Sequence, residues 1–388
     1  MTTAEGNRLE PLNGLELMRT PPEERIDRII RMAREIFAVP VVDINLVSPT
    51  VQFLMPPPVQ VDGPVEEKSD VFRAATLKSS ATVVVTDSVF DPRFAGRALN
   101  EDESQIRFFA GRRLTIGQGE RVGTICLVDT EPREFGAEQV RVLEELALWV
   151  ERELQEDVDR KRAGQVQRSL LPAGPDLGAD VQVAGVSIPF HHVGGDFHSW
   201  SHDGSTVSIA LADVMGKGVG AAIIAATVRA TVNALGIGAP AETLRRTNEL
   251  LVSDFAATGT FATAFLARLD LVTGVLEYAD AGHGLSILVR SDGSHERLVS
   301  TGLPLGIAAD VEFFPGSVEL GHGDTLLTFT DGLLDLLDGT LESIPPIVDI
   351  ALASSGAVEI VNRITELCRT LGATDDVTVV AVTRPSLI

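Results

Sequence analysis

Residues 206–220 read TVSIALADVMGKGVG. The apolar run Val207 to Leu211 predicts a buried strand, Asp213 stands at its end, Gly216, Lys217 and Gly218 predict a turn, and the alanine-rich stretch behind them predicts a helix. A carboxylate is thus placed where the backbone must bend. Side chains at strand ends project into clefts while the strand itself is held rigid, and ligand sites in layered α/β structures use that arrangement. The same residues also describe a plain strand-to-helix turn with a capping Asp, since Asp and Gly are the common turn residues. Acids at other strand ends decide between the two.

Outward from this stretch, the chain after Pro172 alternates short apolar runs with turn signals. Strands are expected at Val181 to Ile188, Thr206 to Leu211, Phe261 to Leu269, Gly274 to Asp280, Leu285 to Val289, Val311 to Leu320, Thr325 to Phe329 and Val377 to Val382. LVTG, SDGS and GHGD read as hairpin turns. Helices are expected at Gly220 to Leu235, at Thr243 to Phe255, and again between Asp335 and Leu371. Runs of antiparallel strands with helices in separate blocks indicate an α+β layered sandwich, not a doubly wound sheet.

Four acidic sites fall just outside apolar strands: Asp196 in VGGDF, Asp213 in ADVMGKG, Asp331 in FTDGL, and the pair Asp375 and Asp376 in ATDDVTVV. Glycine is adjacent to Asp196 and Asp331 and stands three residues after Asp213, which lets backbone carbonyls and solvent approach an ion closely. Each alone is an ordinary turn acid. Together they offer the hard oxygen donors that Mg²⁺ or Mn²⁺ prefer, with too few His and Cys for a zinc site. Carboxylates gathered in one cleft repel unless cations neutralise them, so convergence would imply metal and scatter would imply nothing.

Residues 165–388 resemble the SpoIIE-like branch of the metal-dependent (PPM) protein serine/threonine phosphatases. The resemblance is carried, in the family's order, by QVQRSLLP, VGGDF, ADVMGKGVGAA, Asn248, FATAFLARLD, YADAGHG, GLPLGI, TFTDGLLD and TDDVTVV. It implies an αββα sandwich in which Asp213 bridges two metal ions, the backbone carbonyl of Val214 joins one of them, Asp331 and Asp375 hold the other, and Asp196 stands beside the first. Asp376 is expected to support the site without ligating. Two cations about 4 Å apart lower the pKa of a bridging water, so that hydroxide attacks phosphorus in line at neutral pH. Lys217, with Gly216 and Gly218, is a candidate contact for the substrate phosphate, and a solvated turn lysine explains it equally. His283 in AGHG reads as loop packing ahead of proton donation. His191, His192 and His198 flank VGGDF without any spacing that marks an acid catalyst. The pattern departs from the family at Ser199, where a second acid is usual, at Leu285 and Ser286, where prolines are usual, and at Asp335, a displaced acid. The first departure implies a weakened metal site.

GGDF also invites comparison with diguanylate cyclases, but Phe197 stands where that family needs a second acid. GKG is no nucleotide P-loop, because no Gly precedes it at the required interval and Gly218 replaces Ser or Thr. A rival from another class is a catalytically weak or silent scaffold of the same fold that binds a phosphorylated partner. For an active enzyme the resemblance implies, as substrate, a phosphorylated anti-sigma-factor antagonist in a partner-switching pathway.

In the first half, Ile26, Ile29, Ile30, Ala33 and Ile36 recur at helical spacing. Strands are expected at Val41 to Val47, Thr82 to Thr86 and Val122 to Val128, with MPPPVQVDGPVEEKSD (residues 55–70) as loop because proline supplies no ladder donor. The stretches IDRIIRMAREIFAVPVVDINLV, VVVTDSVFDPRFAG, IRFFAGRRL and VGTICLVDTEPREFGAEQ, over roughly residues 23–155, resemble a GAF domain. That implies either a small-ligand sensor or a dimerising scaffold. SDVFRAAT, around Val71 and Phe72, lacks the Cys and His that many relatives carry, which argues against thiol or haem chemistry, and the GAF ligand is left unknown.

Ala137 to Leu170 contains no proline and predicts one long helix; Val140, Leu143, Ala147, Val150 and Leu154 make a heptad seam. Either a parallel coiled coil or a helix on the surface of the first domain gives that spacing. Asp157, Asp159, Arg160, Lys161 and Arg162 end the seam, and Gly164 weakens the helix. The expected organisation is a loose tail at 1–22, a GAF-like domain at 23–150, a linker helix at 151–171 and a phosphatase domain at 172–388, in a homodimer.

The chain has 388 residues, 44% hydrophobic and 22% charged, which suits two globular domains. Its net charge of -23 argues against nucleic-acid binding. Two cysteines, Cys126 and Cys368, fit a reducing cytoplasm, and neither a secretory leader nor a membrane span is legible.

Overall fold

The computed structural model describes residues 22–47, 65–94, 106–172, 180–236, 238–299 and 302–385. Residues 1–21 of the expected tail lie outside that set. The chain divides between Lys161 and Arg162 into two compact units.

The first unit contains α1 (Pro22–Phe37), β1 (Val41–Leu46), α2 (Val65–Lys78), β2 (Val83–Val85), β3 (Phe108–Ile116) and β4 (Glu120–Asp129), and the long helix α3 (Ala137–Ser169) begins in it. Its antiparallel sheet has the order β1-β4-β3-β2. Ile26, Ile29 and Ala33 of α1 and Leu143, Ala147, Val150 and Leu154 of α3 pack in one cluster with Ile44, Leu114 and Ile125 of the sheet. On the other side Phe72 stacks on Phe94 at 4.5 Å and on Phe109 at 5.0 Å, beside Cys126. The seam of α3 is therefore filled by its own domain, and the surface-helix alternative replaces the coiled coil. A second correction concerns residues 55–70. The prolines there end at Pro64, and α2 begins at the acidic segment directly behind it, so residues 65–70 are helical. Strand β3 was not anticipated, because Arg112 and Arg113 interrupt its apolar run.

The second unit contains β5 (Gln182–Ile188), β6 (Asp196–His202), β7 (Thr206–Val214), α4 (Val219–Leu235), α5 (Pro240–Thr258), β8 (Ala262–Asp270), β9 (Val275–Ala281), β10 (Ser286–Val289), β11 (His295–Arg297), β12 (Gly316–Glu319), β13 (Thr325–Phe329), α6 (Gly332–Asp335), α7 (Ile344–Leu352), α8 (Ala357–Leu371) and β14 (Val377–Thr383). Two five-stranded sheets run β11-β10-β13-β14-β5 and β12-β9-β8-β7-β6. Period-two alternation sorts their side chains into layers. In β14, Val377, Val379 and Ala381 pack against α7 and α8, while Val380 and Val382 face the other sheet. In β7, Val207, Ile209 and Leu211 enter the intersheet core, and Ala210, Ala212 and Val214 meet Ala221, Ala225 and Val228 of α4. Alanine on both sides brings α4 close to the sheet. Each fully buried Val, Leu, Ile or Phe contributes about 1.5–3 kcal/mol relative to exposure. The result is the expected helix–sheet–sheet–helix sandwich.

Three expectations fail in detail. GHGD (321–324) is no hairpin, since β12 and β13 lie in different sheets. The strand expected over Val311 to Leu320 shrinks to β12, because Pro315 interrupts it and Val311 and Phe313 turn into the core beneath α5. Strands β6 and β11 were missed: DFHSWSH and HER are too polar to read as buried strands.

The layering sets the acids at one end of the sandwich. Asp196 opens β6 and is the register partner of Asp213 near the end of β7. Phe329 at the end of β13 pairs with Val379 of β14, so Asp331, two residues on, and Asp375 and Asp376, just before β14, emerge together.

Candidate active site

An open cleft of ≈ 290 Å³ is lined by all five acids, Asp196, Asp213, Asp331, Asp375 and Asp376, with Met215, Gly216, Lys217, Phe261 and Thr263. Convergence, the condition the sequence left open, is met. The capping explanation fails as well: Gly218 is the N-cap of α4, with no side-chain cap bond, and the Asp331 side chain makes no cap bond to α6.

The acids are held differently. Asp196 is buried and accepts from Thr330 Oγ1 at 2.7 Å, and Thr330 Oγ1 in turn accepts from the Thr378 amide at 2.9 Å. Both sheets are stitched together at that point. Asp376 accepts from the amides of Phe190 at 2.8 Å and Gly195 at 2.7 Å, so its two carboxylate oxygens fix the loop ahead of β6. Asp375 accepts from the Asp376 amide at 2.8 Å and pairs with Lys217 Nζ at 2.8 Å. Close packing demands glycine around them. A Cβ on Gly194 would stand 2.7 Å from Asp376 Oδ2, one on Gly195 2.7 Å from the Val214 carbonyl, and one on Gly332 2.0 Å from the Asp376 carbonyl.

Burial, and after it mutual repulsion, loads the cleft with unfavourable negative charge. Burial and then Asp213 push the Asp196 carboxyl well above its usual range. Burial and then Asp331 push Asp213 up to about 6. Burial raises Asp376 despite its two amide partners. The cleft's lining holds neither thiol nor imidazole, and five carboxylates are the hard oxygen donors that fit Mg²⁺ or Mn²⁺. As the side chains stand, no three His, Cys, Asp or Glu among the described residues close around one ion position. Asp375 is turned onto Lys217 and Asp376 onto the loop backbone.

The other sequence candidates lie elsewhere. Ser199, in the position of the expected second acid, is buried and donates to Asn233 Oδ1 at 2.9 Å, away from the cleft lining. His283 is buried in its loop; its amide and that of Gly284 donate to Asp280 at 2.8 and 2.7 Å, and its Nδ1 lies 3.3 Å from Oγ1 of Thr263, which lines the cleft. His198 is buried with Nδ1 2.9 Å from Ser187 Oγ, and His191 and His192 are not among the lining residues. Asn248 donates to the Ala308 and Ala309 carbonyls and accepts from the Gly306 amide, locking the GLPLGI loop. Sequence reasoning missed Thr330, the lining residues Met215, Phe261 and Thr263, and Phe190, whose ring lies 5.4 Å from Lys217 Nζ. The TFTDGL motif contained the first of these, but a threonine just past a strand carries no signal of its own.

Residues 203–385 match the family model described as Stage II sporulation protein E (SpoIIE), and residues 21–154 match the GAF domain. Protein IcfG of Synechocystis is 26% identical over 262 residues, covering 59% of this chain and 40% of that protein. Phosphoserine phosphatase RsbU of Bacillus subtilis is 28% identical over 177 residues, covering 45% of this chain and 52% of that protein. The chain thus spans about half the length, or less, of these curated relatives. Among solved structures, the SiaA-PP2C domain of Pseudomonas aeruginosa aligns with a TM-score of 0.49 at 24% identity, covering 57% of this chain and 94% of that one. Among the described residues no helix is long and apolar enough to cross a membrane.

Proposed function

We propose that the chain, whose residues 21–154 match the GAF domain and whose residues 203–385 match the SpoIIE model, is a metal-dependent protein serine/threonine phosphatase whose activity the GAF domain regulates. The observation that carries this reading is the meeting of carboxylates from four separate chain segments in one cleft. Asp213, Asp196, Asp331 and Asp375, with the Val214 carbonyl, are the groups that would hold the cations. When bound, Mg²⁺ or Mn²⁺ polarise the phosphoryl group and make solvent nucleophilic at neutral pH.

The chain's own groups supply placement. Thr330 orients Asp196, and Asp376 holds the loop from Phe190 to Gly195 against the cleft. Gly216 and Gly218, with φ of 105° and 80°, form a turn that a β-carbon would strain, and they set Lys217 at the mouth where a phosphoryl oxygen enters. Lys217 is therefore the residue assigned to substrate phosphate.

The proposed substrate is a phosphoserine or phosphothreonine on an anti-sigma-factor antagonist, as the SpoIIE-like resemblance implies, the likeness to phosphoserine phosphatase RsbU supports the phosphoserine, and the proposed working form is a homodimer. The test is manganese-dependent hydrolysis of p-nitrophenyl phosphate and of a phosphorylated antagonist, with Asp213→Ala as control. Turnover that requires manganese and vanishes in the variant supports the enzyme. A folded protein that binds the phosphoprotein without turning it over supports the scaffold alternative.

A further inference from the structure

Lys217 lines the mouth of the acid cleft and pairs with one of its carboxylates. Its Nζ stands 2.8 Å from Asp375 Oδ2 and 3.3 Å from the Thr374 carbonyl, and 5.4 Å from the centre of the Phe190 ring. Its side chain is 45% exposed, so the stem can swing without dragging the backbone. The flanking glycines, both at positive φ, hold the turn from which the stem springs. An ammonium on a flexible four-carbon stem is a mobile point charge, unlike the planar fork of arginine.

We propose that Lys217 is a tethered counter-ion of the acid cleft: it neutralises Asp375 in the metal-free protein and competes with a divalent cation for that carboxylate. The second half rests on the metal reading given above; the first half does not. A doubly charged ion displaces the ammonium from Asp375 when its concentration suffices, and the freed lysine stays within reach of the cleft mouth. The lysine thereby sets a threshold for metal loading, beyond its assigned contact with the phosphate.

Full-length Lys217→Met, Lys217→Arg, Asp375→Asn and the double variant Lys217→Met/Asp375→Asn separate the two halves. In EDTA, Lys217→Met is expected to melt about 1–3 °C below the parent, the span that fits a partly exposed ion pair. Asp375→Asn should abolish that difference, and Lys217→Arg should keep the pairing. Calorimetric titration with Mn²⁺ is expected to show Lys217→Met binding about two- to fivefold more tightly than the parent. Equal melting in EDTA with no coupling to Asp375 overturns the counter-ion. Unchanged or weaker Mn²⁺ binding in Lys217→Met overturns the competition. A parent that binds no Mn²⁺ overturns the metal reading and the competition with it, while the EDTA measurements still judge the pairing.

Discussion

Gln167 holds both sides of the Gly194 peptide: its Nε2 donates to the Gly194 carbonyl at 2.7 Å and its Oε1 accepts from the Gly194 amide at 3.0 Å. The last turns of α3 are thereby fastened to the loop whose next amide, that of Gly195, donates to Asp376. Each of the two bonds is worth about 0.5–1.5 kcal/mol. Gln167→Ala is expected to lower stability by about 1–2 kcal/mol in urea unfolding and to reduce p-nitrophenyl phosphate turnover through a misplaced Asp196. Undiminished turnover in a destabilised variant would show that the loop keeps its place without the clamp.

Gly164 gives a prediction whose sign separates two principles. Helix propensity alone says that Gly164→Ala should stabilise α3 by about 1 kcal/mol. The structure says the reverse, because a Cβ there would stand 2.1 Å from the His192 carbonyl, where backbone must shift to make room. The expected result is destabilisation of about 1–3 kcal/mol, read by thermal or chemical melting. A raised melting temperature would mean that α3 does not approach the loop this closely.

Asp213 is pushed up to about 6 by burial and then by Asp331. With a folded pKa above the unfolded one, the native state binds more protons between about pH 4 and 6, so metal-free stability falls as pH rises through that window. Asp213→Asn removes the charge and is expected to be more stable than the parent at pH 7 in EDTA, by about 1–3 kcal/mol. The same variant should lose the thermal shift that Mn²⁺ gives the parent. Equal stability of the two proteins in EDTA at pH 7 would contradict the electrostatic account.

His198 has the opposite sign. Burial, with Arg229 adding to it, pulls its imidazole down to about 4. The unfolded chain therefore takes up a proton near pH 6.5 that the folded chain refuses until about pH 4, and stability falls with acidification across that interval. Replacing His198 by Gln, which retains a polar partner for Ser187, should flatten the acid limb by on the order of 2–3 kcal/mol. Urea unfolding of both proteins from pH 7 to 4.5 makes the comparison. Parallel curves would show that the imidazole is already charged in the native state.

The buried strands and the acids behind them were legible because their signals are local. Val207 to Leu211 and Val377 to Val382 are runs that only a doubly covered strand can use, and Asp213, Asp331 and Asp375 stand at their ends or beside glycines. What stayed hidden depends on a distant partner. DFHSWSH carries two histidines and two serines, and it becomes the strand β6 because β7 pairs with it and Ser199 finds Asn233. Gly164 looked like a weak point in a helix and is a close approach. The α3 seam is the same case: spacing fixed which face is apolar, but not whether a second chain or the first unit's own sheet covers it.

One consequence follows from the position of β7. Strands flank it on both edges, helix α4 lies over one face and the second sheet over the other. Its amide hydrogens should exchange with deuterated solvent only through complete unfolding, so the pedestal under Asp213 stays shut for as long as the domain is folded. Exchange short of unfolding is expected first at the cleft's exposed border, the turn at Gly216 to Gly218.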